Sequence, residues 1–420
     1  MSLTSLISPG DLSPSRNPVY WKFSSSNINT EYILLETKLD GITYPIEIYP
    51  KAPDGYFYVN IQRQIESCFA GKEKINNWFP AAPGLSVVKN ETDALLVYFS
   101  VKAWEVIISG SSIANHYIGD AGPGTGTPDY TSGSDHLYCI RAARQHEDLP
   151  DLSAYKQLSE NKFLTHMPLS RSILPNVPHC LYYYLKSNVL VGTQINLRIN
   201  YVLNNGSTGS ITIPQSGMLT QGLYNIPVGT NNIKNMAANI GSYINFNTSG
   251  TGIREYSIFL LSTQPSNPGI PPILISETRK FIPDYTDYPV QFHLIWQNPL
   301  GVYDAHTFIG SYKKNDTGEK EMYLRSKDWE QDFPQLGYTD INNKHTIIHE
   351  VLSEFVSKEM LDVLWELRKS LRVWHLITAE NKDKVWNPIN LIAEERPREQ
   401  FGQHLYEMSF KFIPSQAQII

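Results

Sequence analysis

The 420-residue chain is long enough for two to four domains at roughly 100–200 residues apiece, and its 41% apolar content is ample for their cores. Only 18% of residues are charged, net −6, and the three cysteines, Cys68, Cys139 and Cys180, are widely spaced and odd in number; that excludes a disulfide framework or a zinc pattern and points to buried or partly buried free thiols. No stretch reaches the roughly 18 apolar residues of a membrane span, and the start lacks the basic flank and apolar run of a secretory signal, so a cytoplasmic beginning without membrane insertion is expected.

The elements follow in chain order. Residues 1–16, polar and broken by Pro9, Gly10 and Pro14, are expected to form a flexible N-terminal arm, ordered by a neighbouring subunit. Residues 17–160 are expected to form a β-sandwich. Val19-Tyr20-Trp21-Lys22-Phe23 and Tyr32 to Leu39 read as strands, the second ending at Asp40-Gly41, a hairpin turn signal. Ile42 to Tyr49 follows, then the turn Pro53-Asp54-Gly55 and a polar/apolar alternation from Tyr56 to Ile65. Ala94 to Phe99 and Trp104 to Ile108 complete the set. Residues 109–134 are rich in Gly, Ser, Thr and Pro and carry His116, Tyr117 and Tyr130. So long a loop is uncommon unless it binds something or is disordered, and tyrosine supplies contact area at low entropic cost. These three residues are therefore the candidate interaction loop.

Residues 161–263 predict a second sandwich. Its strands are Leu181 to Leu185, Thr193 to Leu203, Ser210 to Ile213, Leu223 to Gly229, Ser242 to Phe246 and Glu255 to Leu261. Tyr224-Asn225-Ile226 here parallels Tyr58-Val59-Asn60-Ile61 in the first, which suggests a duplicated sandwich. Residues 161–254 hold no Asp or Glu but six Lys or Arg, so they carry +6 and the remainder −12. That asymmetry suits docking of the middle of one copy on an acidic flank of the next. Six scattered charges are too thin for a nucleic-acid footprint. Residues 264–290 are expected to be a Pro-rich linker, and residues 291–420 an α+β domain with one clear helix over 357–370. Ser357 caps that helix, and Leu361, Leu364, Trp365 and Leu371 share a face. The fold expected is mainly β: tandem antiparallel β-sandwiches followed by an α+β domain.

No catalytic, cofactor or metal-binding residue stands out. Gly122-Pro123-Gly124-Thr125-Gly126 lacks the following Lys and helix of a phosphate loop. His349-Glu350 lacks the second histidine of a zinc protease motif, and His116, His136, His146, His166 and His179 are spread along the chain. There is no Gly-x-Ser-x-Gly elbow, and His179 and Cys180, adjacent on a strand, point apart. No pair of carboxylates is singled out, and no enzyme activity is expected.

Asn17-Pro18-Val19-Tyr20-Trp21-Lys22-Phe23-Ser24-Ser25 resembles the opening of β-rich structural proteins in the tail and baseplate region of phages and prophages of Bacteroidota. Pro53-Asp54-Gly55-Tyr56 leading into Asn60-Ile61, and Tyr224-Asn225-Ile226-Pro227-Val228-Gly229, resemble further segments of the same proteins. Phe292-His293-Leu294-Ile295-Trp296-Gln297-Asn298-Pro299-Leu300-Gly301-Val302-Tyr303-Asp304 is similar to their aromatic strand and Gly-x-Tyr-Asp turn, and Leu405 to Phe410 to their final strand. The resemblance implies a virion structural protein near the tail tip, baseplate or fibre attachment. It would assemble in the host cytoplasm with itself, as a ring, trimer or hexamer, and with other tail proteins. A receptor- or glycan-binding module of the same apparatus, meeting a host surface glycan, is the alternative, and a polysaccharide hydrolase the third reading. No catalytic residues come with the resemblance.

Overall fold

The computed structural model describes residues 3–10, 12–69, 89–90, 92–107, 116–117, 128, 130–132, 137–142, 152, 162–175, 177–185, 194–215, 220–264, 269, 271–324, 338–370, 372–378, 384–392 and 406–414. The fold is mainly β, with several antiparallel sheets and a few helices. The chain divides into two units: Met1–Tyr285 with Gln297–Asp304, and Thr286–Trp296 with Ala305–Ile420.

The first unit contains two sandwiches, each with its own core. In the first, a small sheet of Leu3–Ile7, Tyr20–Ser25 and Phe57–Asn60 faces a larger one. The larger sheet runs in the order Leu12–Pro14, Leu137–Ile140, Leu96–Ile107 and Thr30–Leu39, and the short strands Ile42–Thr43 and Glu47–Pro50 pair with the outer edge of Thr30–Leu39. Period-two alternation turns Trp21, Phe23, Phe57 and Val59 inward onto Leu35, Phe99, Val101 and Ala103. Trp21 meets Phe99 edge-on, with ring centroids 5.9 Å apart.

The second sandwich repeats that order. Cys180–Leu185 pairs with Gly222–Pro227 in its small sheet; the larger one runs Ser170–Ile173, Arg279–Pro283, Ile253–Thr263, Gln194–Leu203 and Thr208–Gln215. In both larger sheets the first strand lies parallel to the last, an unusual pairing among antiparallel ones. Asp40 and Gly41, with φ of 47° and 85°, make the first hairpin turn; Asn204-Asn205-Gly206, with Gly206 at φ 86°, makes its counterpart. Both Phe57–Asn60 and Gly222–Pro227 lead into a helix, Gln62–Phe69 and Thr230–Asn239. The backbone N–H of Ile61 donates to Val19 O at 3.1 Å, and that of Val228 to His179 O at 2.7 Å. These paired bonds fix the correspondence: Tyr20, Lys22 and Tyr58 stand where Cys180, Tyr182 and Asn225 stand in the second sandwich.

Two expectations give way here. Residues 1–16 are not a flexible arm, because Leu3–Ile7 pairs with Tyr20–Ser25 and Leu12–Pro14 with Leu137–Ile140, burying Leu3 and Leu12. Nor is 264–290 only a linker. Ile273–Leu274 and Arg279–Pro283 both pair with Ile253–Thr263, which carries the second sandwich past residue 263. Proline sits at strand ends and sheet edges as readily as in linkers, which is why composition misread both stretches.

The second unit is one antiparallel sheet and one helix. Its strands are ordered Tyr303–Phe308, Phe292–Gln297, Val373–Thr378, Lys384–Ile392, Ser409–Pro414, Tyr338–Leu352 and Tyr312–Leu324. Phe292 and Phe412 lie three strand positions apart, about 14 Å in a flat sheet, yet their ring centroids are 5.1 Å apart. The sheet therefore curls, with these rings on its concave face. The helix Lys358–Lys369 is capped by Ser357, whose Oγ accepts from Met360 N at 3.3 Å. Met360, Leu361, Val363, Leu364 and Leu367 are buried and Trp365 is half-buried under Arg368; Leu371 lies outside the described residues. No helix among the described residues is long and apolar enough to cross a membrane.

Candidate functional site

Alternation in the small sheet of the first sandwich buries one face and leaves the other to carry Tyr20, Lys22 and Tyr58. The register sets Lys22 opposite Tyr58 and Tyr20 opposite Asn60. The turn Pro53-Asp54-Gly55 then delivers a third tyrosine. Gly55, at φ 87°, donates its N–H to Ala52 O at 2.9 Å, and Asp54 Oδ1 accepts from Tyr56 N at 3.2 Å. Lys22 Nζ lies 3.8 Å from the Tyr56 ring centroid and 5.5 Å from that of Tyr58. Tyr58 Oη donates to Asp54 Oδ2 at 2.5 Å.

These contacts hold one another in place. The Tyr58 hydrogen bond is the main reason Asp54 sits below the usual carboxylate range, and the contact with Tyr58 is the main reason Lys22 sits above the usual ammonium range. Tyr20 is 39% and Tyr58 45% exposed, and Leu6 and Ile7 are exposed on the adjoining strand. The result is a preorganised aromatic platform with a fixed cation and a fixed acceptor. Such a surface can stack, donate and exclude water.

The same face of the second sandwich is covered. Tyr182 and Asn225, the counterparts of Lys22 and Tyr58, are 2% and 6% exposed. Tyr184, on the same face, meets Tyr138 of the first sandwich edge-on at 6.3 Å. The strand Lys89–Asn90 extends the small sheet at Gly222–Pro227, and Thr92 Oγ1 accepts from Leu223 N at 2.9 Å. One aromatic face is thus closed by the chain itself and the equivalent one is open.

The loop residues expected to form the interaction site lie elsewhere, on one strand edge. His116 and Tyr117 pair with Ile107 and Val106, and Tyr130 with Ala103, all along Leu96–Ile107. The stretch 118–127, with its glycine run, lies outside the described residues, as do His136 and His146. His179 is buried. Tyr20, Lys22, Tyr56 and Tyr58 were not singled out from the sequence. The Tyr56 to Ile65 alternation contained the signal, since it predicts an exposed Tyr58, but nothing in it reveals that Lys22 lies opposite.

Two further polar clusters are held by hydrogen bonds and stacking. Asn298 Nδ2 donates to Leu164 O at 3.0 Å and to Asp304 Oδ2 at 2.8 Å, while Thr165 Oγ1 donates to Asp304 Oδ1 at 2.5 Å. In the second unit, His375 stacks on Phe292 with centroids 3.6 Å apart, and Tyr312 Oη lies 2.6 Å from His349 Nδ1. Burial, then the neighbouring His349, pushes His375 down to about 4. Among the described residues no three His, Cys, Asp or Glu side chains are grouped to hold a metal ion. The sequence matches no protein-family model and no curated protein.

Proposed function

We propose that the chain is a structural component of a phage virion, in the tail tip, baseplate or fibre-attachment region, and that it works by oligomeric assembly. The observation that carries the assembly part is the open Tyr20–Lys22–Tyr58 face, whose counterpart in the second sandwich is buried inside the first unit. Exposed, preorganised aromatic faces are what interfaces are made of. The virion part rests on the resemblance of the segments around Trp21, Tyr224 and Asn298 to tail proteins. Gold-labelled antibody to the purified chain, viewed on particles by electron microscopy, tests it. Gold at one end of a tail is expected; particles free of gold, with the chain left in the supernatant, would exclude the virion role.

One observation favours a second reading, glycan binding by the same apparatus. Tyr58, 45% exposed, lies beside the carboxylate of Asp54, a combination that suits a sugar ring. Retention of the chain on host surface polysaccharide, lost in Tyr58→Ala, supports that reading; passage straight through the column rejects it.

A further inference from the structure

The internal junction between the two sandwiches shows what the open face accepts. On the donor side, the first sandwich offers the outer face of its larger sheet. Leu96, Tyr138 and Ile140 lie there, outside the first core, and all are buried. It also offers the connector after its helix, which supplies Lys89–Asn90 and Thr92. On the acceptor side, the second sandwich offers the outer face of its small sheet and the edge of Gly222–Pro227.

Because the two sandwiches share one strand order, both sides have counterparts. The acceptor's counterpart is the open face with Tyr20, Lys22 and Tyr58; no described strand pairs with the outer edge of Phe57–Asn60. The donor's counterpart is the second sandwich. Its connector after the helix Thr230–Asn239 carries Tyr243, 90% exposed, beside exposed Ile240. The connector that docks inside the chain thus has an equivalent that holds a tyrosine out into water.

We infer that the second sandwich of one copy docks on the first sandwich of the next, head to tail, repeating between chains the junction found within one. This rests on the assembly reading above and names its partner. Charge agrees. Residues 161–283 hold eight basic and two acidic side chains, net +6, whereas residues 1–160 hold 18 acidic and 12 basic side chains, net −6. Apposing them is attractive, whereas pairing like sandwiches is not. Such a contact is heterologous, so it propagates into a ring or a filament rather than stopping at a symmetric dimer.

Sedimentation of the purified full chain tests this with two variants. Tyr58→Glu blocks the open face and Tyr243→Glu blocks the connector. Wild type is expected to pass beyond dimer as concentration rises, and each variant alone to stay monomeric. An equimolar mixture is expected to form dimers and stop there, because one intact half remains on each chain. Wild type that stays monomeric, variants that assemble like wild type, or a mixture that forms no dimer overturns the inference. Melting curves confirm that the variants are folded; should Tyr58→Glu lose its transition, Tyr58→Gln replaces it. Gold on tails combined with a monomeric wild type would leave the virion reading standing and remove this docking alone.

Discussion

Asn298 anchors the turn between Phe292–Gln297 and Tyr303–Phe308, where its N–H donates to Val302 O at 2.8 Å. Its side chain accepts from Val302 N at 3.2 Å while donating to Leu164 O and Asp304. Replacing it with Ala leaves a buried carboxylate and two backbone groups short of partners. The expected loss is about 2–3 kcal/mol, read as a lower urea midpoint for the first unit. Gly301 has a different reason to be glycine. It sits at φ 88°, and an added Cβ would come 2.8 Å from Ile140 Cγ1 and 2.9 Å from the Arg141 carbonyl carbon. Gly301→Ala is therefore expected to cost about 1–3 kcal/mol; an unchanged midpoint would show that the turn relaxes freely. Asn298, Gly301 and Asp304 thus build the turn between Phe292–Gln297 and Tyr303–Phe308.

At the scale of elements, the helix and the curled sheet of the second unit behave differently with respect to the sequence. Ser357, Glu359, Arg368 and Lys369 mark both helix ends, and the structure places the helix between them as expected. Ser357→Ala should cost about 1 kcal/mol by removing the cap. The curl of the sheet has no such local mark; it brings Phe292, His375, His349 and Phe412 together from four strands. His375 is held at about 4 by burial first and His349 second, while Tyr312 and Lys314 flank His349. An unfolded histidine titrates near 6.5. The folded form binds fewer protons, so the stabilisation is present above about 6.5 and is lost as pH falls from there to about 4. Denaturation midpoints of the second unit should drop across that window, by of order 2 kcal/mol for a partly exposed ring. His375→Phe keeps the stack on Phe292 and should flatten most of the drop, the remainder belonging to His349.

For the whole molecule, the pairing of residues 3–7 and 12–14 changes what truncation does. Deleting residues 1–16 removes buried Leu3 and Leu12 and two edge strands. The expected result is a first sandwich weakened by of order 4 kcal/mol, visible as a lower melting temperature, and not a stable fold that merely fails to assemble. Self-association should weaken as salt rises, because salt screens the attraction between the +6 and −6 segments; association insensitive to salt would leave charge out of the contact.

The sequence by itself determined the β character, the hairpin turn at Asp40-Gly41, the capped helix, and the kinship of the Phe57–Asn60 and Gly222–Pro227 strands, though the structure aligns Tyr58 with Asn225 rather than Tyr224. All of these are set by neighbours within a few residues, through period-two alternation, left-handed turn geometry and capping. The tertiary structure alone decided which strand meets which. It joined residue 12 to residue 138, drew 273–283 into the second sandwich, and set Lys22 against Tyr56 and Tyr58. It also left one aromatic face open where its counterpart is closed. Cross-strand partners far apart in the chain leave no period in the sequence, and whether an outward-facing tyrosine is covered depends on what packs over it.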